Sequence, residues 1–401
     1  MHWLSSIALV CWVALLLTPW QAWRTRERLN IGAGSDRDGA QDGCGVDSSG
    51  PDDADKDFDL SVLIPARNEA HNIAGTLEAL RSQALRLQVV VVDDRSEDHT
   101  GQAARAMAIR LARAPSSAGG IVHVEVVEGD ELPIGWSGKL HALEQARRRA
   151  RCAQVLLLDA DIHLAPGVIG ALRRQWQRQG GGLVSVMATL PVRNTWERLL
   201  LPPFVYFFKL IYPFSLVGNP GSRVAGAAGG CVLLDARVLD RIGGFATLRD
   251  ALIDDCALAA AFKRAGAPLW LGLSEAVVSR REMTGLGEIW NMVARTAFTQ
   301  LSYSPVLLCL CSLALLLCFV LPPLDLIGSL PGSTMGWPAG AALLAMCVSY
   351  LPTVRFYRLS PWWTLTLIPA ACLYLLFTWS SAWRYWRGER SRWKGRVYPV
   401  G

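Results

Sequence analysis

Between residues 59 and 188 the chain alternates short apolar runs with stretches whose apolar residues recur at helical spacing. "LSVLIPA" (60–66), "QVVVVDD" (88–94), "IVHVEVV" (121–127), "QVLLLDAD" (154–161) and "GLVSVMA" (182–188) read as strands. Their apolar residues run almost without interruption, as in strands covered on both faces. The segments between them read as helices. In 69–83, Ile73, Leu77 and Leu80 share one face; 101–114 and 139–150 are patterned alike, and 166–179 opens with Pro166, where no N–H is needed. This alternation predicts an α/β domain with a parallel sheet and helices on both faces.

Outside that region the texture changes. Residues 4–20 carry no charge, 305–323, 337–353 and 361–382 almost none, and each is long enough to cross about 30 Å of hydrocarbon. We read all four as membrane segments. The first (1–23) reads as an anchor rather than a cleaved signal peptide: it lacks a basic start and a clear small-x-small cleavage site, and Trp12 and Trp20 suit an interface. "LLLPPFVYFFKLIYPFSLVG" (199–218) and residues 286–304 read as interfacial segments. Residues 31–58, rich in Gly, Asp and Ser, hold too little apolar surface to fold, so 24–58 reads as a flexible acidic linker. The domain proper is then 59–285, and 384–401 forms a basic tail.

The chain has 401 residues, 51% of them hydrophobic, and a formal charge of +6. That charge is not a nucleic-acid signature, because the basic residues gather at membrane edges: Arg24, Arg26 and Arg28, then Arg355 and Arg358, then Arg384 to Arg396. By the positive-inside rule the region after the first segment is cytoplasmic. Three full crossings would leave the tail outside, against the same rule; either one segment, such as 337–353, is re-entrant, or the tail is external. The ten cysteines are scattered with no C-x-x-C, so neither a zinc site nor a disulfide framework is indicated, and a reducing compartment fits.

Open α/β sheets bind ligands at the carboxyl ends of their strands. That rule selects "PARNEA", "DDRSEDHT", "GDELPIGWSGK" and "DADIHLAP". It also separates Asp159/Asp161 from the D-x-D pairs at 36/38, 53/55, 55/57 and 57/59, which lie in the linker. A carboxylate pair at a strand end can hold a hard divalent cation against phosphate oxygens; the plain alternative is a pair that caps the helix near Pro166.

"VLIPARNEAHNI", "VVVVDDRSEDHT", "GKLHALEQA", "LLLDADIHLAP" and "LIDDCALAAAFKRAG", in this order, resemble the successive motifs of family 2 inverting glycosyltransferases over about 60–285. The membrane layout, "NMVARTAFTQLSYSP" and "RWKGRVYPV" look most like the bacterial hopene-associated members. The resemblance implies a GT-A-type nucleotide-sugar-binding fold and a membrane-bound enzyme of the bacterial inner membrane. It would move a hexose from a nucleotide-sugar, UDP-linked by preference, to a lipid acceptor, a hopanoid, with Mn²⁺ or Mg²⁺ as cofactor. Carotenoid or polyprenyl-phosphate acceptors are the neighbouring alternatives, and a catalytically silent scaffold the non-enzymatic one.

Residue by residue, the resemblance makes Asp161 the metal ligand, with Asp159 facing the ribose or sharing the ion. Asp94, the second of the pair with Asp93, would read the uracil, and Pro65 and Glu69 would line the nucleotide. Lys139 would meet the nucleotide or its phosphates, and His163 is a possible third metal neighbour. An inverting displacement needs a base for the acceptor hydroxyl. Asp255 takes that part, with Asp254 as its neighbour, at the start of a helix whose dipole alone could otherwise account for both. The glycines of "GAAGGCVLLDARVLDRIGGF" (226–245) would let a substrate approach closely. The chain departs from the Q/R-x-x-R-W pattern of processive relatives, leaving Arg295 and Gln300 as candidates for the diphosphate.

Overall fold

The computed structural model describes residues 2–32, 58–113, 120–328, 336–393 and 396–399. Most of the expected linker, 33–57, lies outside the described residues. Two compact units emerge: Glu27–Thr189 with Val217–Arg281, and Met1–Arg26 with Leu190–Leu216 and Glu282–Gly401.

The chain opens with α1 (His2–Leu17) in the second of these units. The other unit then builds β1 (Leu60–Ala66), α2 (Ile73–Arg81), β2 (Arg86–Asp93), α3 (Thr100–Arg113), β3 (Ile121–Glu128), α4 (Gly138–Arg147), β4 (Gln154–Leu158), β5 (Ile162–Leu164), α5 (Val168–Arg178) and β6 (Leu183–Thr189). After an excursion through α6 (Thr195–Ile211) and α7 (Phe214–Gly218) come β7 (Cys231–Asp235), α8 (Ala236–Arg241), α9 (Asp254–Arg264) and β8 (Leu269–Ser279). The eight strands form one sheet, ordered β3-β2-β1-β4-β7-β6-β8-β5.

Half of that sheet is as the pattern predicts, with β3, β2, β1 and β4 all parallel. The expectation of a wholly parallel sheet fails beyond β4: β7 runs antiparallel to β4 and β6, and β5 antiparallel to β8. The reason is connectivity. A parallel neighbour needs a crossover back to the same end of the sheet, whereas β7 is entered from the loop 219–230 and runs the other way. The result is a mixed α/β sheet of the GT-A kind.

Alternation along β1 and β2 divides the two faces. Val62, Ile64, Val89 and Val91 pack with Ile73, Leu77 and Leu80 of α2, Ala104 and Met107 of α3 and Leu172 of α5. Each such side chain, fully buried, contributes about 1.5–3 kcal/mol. Ser61 and Gln88 face the other way; Ser61 Oγ donates to Gln88 Oε1 (2.7 Å), and Gln88 Nε2 donates to the carbonyl of Arg149 just past α4 (2.7 Å). Outside the sheet proper, Glu27–Leu29 runs along β8, with Leu29 N–H and Leu273 N–H each donating at 2.9 Å.

The other unit holds α1, α6, α10 (Leu286–Ala294), α11 (Ala297–Gln300), α12 (Pro305–Leu315), α13 (Leu321–Gly328), α14 (Trp337–Phe356), α15 (Leu367–Trp386) and a hairpin of β9 (Glu389–Trp393) and β10 (Arg396–Pro399). Three helices are long and apolar enough to cross a membrane: Pro305–Gly328, Trp337–Phe356 and Pro361–Trp386. They coincide with the three carboxyl-terminal apolar segments. A π-helical turn, Leu316–Val320, joins α12 to α13, and the Trp12 indole donates to the Cys318 carbonyl there (3.1 Å). Helix α1 spans 16 residues, about 24 Å. Residues 199–218 form most of α6 and all of α7; α6 starts on a capping box of Asn194 and Glu197 and buries Leu200, Leu201 and Tyr206.

Candidate functional site

The loops after β1 and β2 are bound to each other. Arg67, nearly buried, donates through Nη1 to the carbonyls of Asp94 (2.7 Å) and Arg95 (2.9 Å). Asp93 caps its own turn: Oδ1 accepts from the Ser96 amide at 3.1 Å and from its hydroxyl. Asp94, only 2% exposed, is the member of the pair left for other work. Glu69 is placed by its amide, which donates to Thr100 Oγ1 (2.8 Å), and its carboxylate accepts from Asn72 Nδ2 (2.8 Å). Pro65 is buried within β1 opposite Val92.

A second group forms around Lys139. Ser137 caps α4 by accepting from the Leu140 amide (3.3 Å), which sets Lys139 in the first turn. Its ammonium lies 2.8 Å from Asp159 Oδ1 and 3.8 Å from Asp254 Oδ2. Burial works against that charge, but the two carboxylates outweigh it and hold Lys139 above the ordinary lysine range. Burial raises Asp159, as does the carboxylate of Asp161; the short contact with Lys139 keeps it ionised at neutral pH. Asp161 accepts instead from a neutral donor, Ser279 Oγ (2.8 Å), at the end of β8. The turn between them is pinned from α2, where Thr76 Oγ1 donates to the Ala160 carbonyl (2.7 Å).

Asp255 completes the group from the first turn of α9. Its two oxygens accept from the amides of Cys256 and Gly229, each at 2.8 Å. Burial, then the charge of Asp254, raise it to about 6; Lys139 and the two amides oppose the rise without cancelling it. Gly229 is tightly enclosed: a Cβ there would lie 3.2 Å from Asp255 Cβ, Asp255 Oδ2 and Lys139 Nζ. The space above this glycine is therefore filled by the acidic group and its lysine, a different reason for glycine than the close approach of a substrate.

Lys139, Asp159, Asp254 and Asp255 thus converge, with Asp161 beside Asp159. Glu69, Asp94 and Pro65 belong to the β1–β2 loops of the same unit. His163 lies on β5, and among the described residues no three His, Cys, Asp or Glu side chains converge to hold a metal ion, so it completes no ligand set with the aspartates. Arg295 and Gln300 fall in the other unit, where Gln300 accepts from Tyr212 OH (2.8 Å). Sequence reasoning passed over Arg67, Ser279 and Gly229's contact with Asp255. Arg67 stands inside "PARNEA" and was within reach; Ser279 comes to Asp161 from more than a hundred residues away, without a local signal.

The model of glycosyl transferase family 21 matches residues 108–401. The chain belongs to this family. The match refines the resemblance to family 2 motifs and does not separate a hopene-associated type from others. Among curated proteins, this family 21 chain is 33% identical over 129 residues to the 4,4'-diaponeurosporenoate glycosyltransferase of Staphylococcus aureus (strain USA300), and 34% identical over the same length to that of strain MRSA252. The aligned part is 32% of this chain and 31% of each relative, so it spans about a third of the relatives' length. A solved mannosyltransferase from Pyrobaculum calidifontis, PcManGT in complex with GDP-Man and Mn2+, is similar in fold. Its TM-score is 0.50 at 21% identity, covering 93% of this chain and 99% of that one.

Proposed function

We propose that the protein is a membrane-bound inverting glycosyltransferase that moves a hexose from a nucleotide-sugar to a lipid acceptor. The observation that carries this reading is the buried group of Lys139, Asp159, Asp254 and Asp255 at the strand ends, with Asp255 raised to about 6. In a single displacement the acceptor oxygen bonds to the anomeric carbon as the bond from that carbon to the diphosphate breaks. Asp255 takes the acceptor's proton, and the nucleoside diphosphate leaves. A carboxylate titrating near 6 is ionised at neutral pH yet basic enough to receive that proton. Lys139 carries a fixed positive charge towards the leaving diphosphate, and Asp94, with Glu69 and Pro65, holds the nucleotide, a uracil base by preference.

A divalent cation, Mn²⁺ or Mg²⁺, fits the donor set. Asp161 offers hard oxygen held only by a neutral hydroxyl, and such ions take one or two carboxylates plus phosphate oxygens. Asp159, engaged by Lys139, is the secondary ligand. The ion would neutralise charge on the departing diphosphate. The Pyrobaculum protein, with its GDP-Man and Mn²⁺, supports this reading.

For the acceptor, the carboxyl-terminal motifs favour a hopanoid. The carotenoid glycosyltransferases among the relatives favour a second reading, a carotenoid acid. Lipid profiling of a strain lacking the protein distinguishes them, since the missing glycolipid names acceptor and sugar together; an unchanged lipid profile would overturn both. The donor site is tested by titrating UDP-sugar with and without Mn²⁺. Asp161→Ala should abolish the metal-dependent part, while Asp36→Ala in the acidic stretch should change nothing. Equal binding by both variants would reduce the Asp159/Asp161 pair to a cap.

A further inference from the structure

Two arginines in the helical unit stand apart from the proposed chemistry. Arg295 closes α10, half-buried, and its Nε is buried without a hydrogen-bond partner among the described residues. Arg384, in the last turn of α15, reaches the same place: its Nη2 donates to Asn291 Oδ1 (2.7 Å). Asn291 lies one helical turn before Arg295, whose amide donates to the Asn291 carbonyl (3.2 Å), so the two guanidinium groups rise from one patch. Neither is paired with a carboxylate among the described residues, although Arg147 and Arg193 elsewhere each hold one.

An arginine with a buried, unsatisfied N–H lacks an acceptor, and the cost of leaving it so is about 1–3 kcal/mol. The surroundings say which acceptor fits. Trp379, Trp383 and Trp386 on α15 are 40%, 60% and 47% exposed, an aromatic girdle of the kind found at the headgroup level of a bilayer. Beneath the arginines α11 and α15 are tightly joined: the Phe298 amide donates to Ser381 Oγ (3.0 Å) and Tyr385 stacks on Tyr303 at 4.4 Å. The patch is therefore rigid, cationic and set among interfacial tryptophans.

We propose that Arg295 and Arg384 form a binding site for a lipid-borne phosphate. Two guanidinium groups suit a phosphate through paired N–H donors, which a single lysine could not supply. The phosphate can belong to a membrane headgroup or to a polyisoprenyl phosphate, and the chemistry of recognition is the same. The site does not depend on sugar transfer, so its failure would leave the proposed activity standing.

The test uses the full chain in neutral detergent and native mass spectrometry with phosphatidylglycerol, undecaprenyl phosphate and diacylglycerol as probes. Both phosphate lipids should bind and diacylglycerol should not. Arg295→Gln with Arg384→Gln should weaken the phosphate lipids about tenfold or more, whereas Arg193→Gln, an equal change of charge elsewhere in the unit, should not. Arg295→Lys keeps the charge and should fall between the two if the double variant folds poorly. Loss confined to undecaprenyl phosphate assigns the site to a phosphorylated lipid substrate; loss of both assigns it to headgroups as well. Undiminished binding of both lipids in the double variant, or equal loss in Arg193→Gln, would overturn the proposal.

Discussion

Asp255 shows how far one residue's role follows from its neighbours. A helix N-terminus by itself favours an ionised carboxylate. Here burial and the adjacent Asp254 outweigh the helix, Lys139 and the two amides, and the group titrates near 6. The sign for activity follows directly. The base is competent when ionised, so kcat/KM should hold above about pH 6 and fall as pH drops through that value. Asp255→Asn should lower turnover about 10²–10⁴-fold with donor affinity near parental, because the base meets the acceptor and not the nucleotide. Asp254→Asn removes a neighbouring negative charge, so the acid limb should move to lower pH at a smaller cost in rate. A pH–rate profile of the three proteins decides it. An unchanged limb in Asp254→Asn with full activity in Asp255→Asn would place the base elsewhere.

At the scale of elements, the turn entering β6 makes the sharpest prediction. Gly180, Gly181 and Gly182 all have positive φ, but only Gly182 is enclosed by backbone: a Cβ there would lie 2.1 Å from the Pro268 carbonyl oxygen, while one at Gly180 would meet nothing within 4 Å. Gly180→Ala should therefore cost about 1–2 kcal/mol, the left-handed penalty alone. Gly182→Ala adds overpacking of about 1–3 kcal/mol and should melt the protein several degrees lower still, read by thermal unfolding of the purified chain. Such a contrast is invisible in "GGG". What the sequence does reveal is local: β1 to β4 and the helices between them follow from spacing, because each strand and its crossover helix are contiguous. β7 and β8 were not foreseen as sheet members, since their partners lie across the 190–216 excursion, and β5 has only three residues. The site divides in the same way. Carboxylates at strand ends are legible from the pattern, whereas the pairing of Lys139 with Asp159 and the hold of Gly229 on Asp255 appear only when distant segments meet.

For the whole molecule, the open matter is the side on which the tail lies. Three helices are long enough to cross, which by count alone would put the tail opposite the segment that enters α12. The packing within the helical unit argues otherwise. Ala382 lies in one cluster with Phe298 and Leu308, and Tyr385 stacks on Tyr303, so the end of α15 sits beside the start of α12. Two points of a chain at the same face of a bilayer are separated by an even number of crossings. Two of the three long helices therefore complete a crossing and one does not, and the tail returns to the side it left. This removes the conflict with the positive-inside rule, since Arg384 and Arg387 then share a side with Arg24 and Arg26. The cytoplasm is the side that supplies nucleotide-sugars, and the cysteines of the α/β unit, Cys152, Cys231 and Cys256, are all free thiols, as a reducing compartment requires. A reporter active only in the periplasm, fused near residue 120 or at the carboxyl terminus, should be silent in both positions, and a cytoplasm-only reporter active in both. Opposite answers from the two fusions would mean that all three helices cross; a periplasmic signal near residue 120 would rule out a cytoplasmic donor.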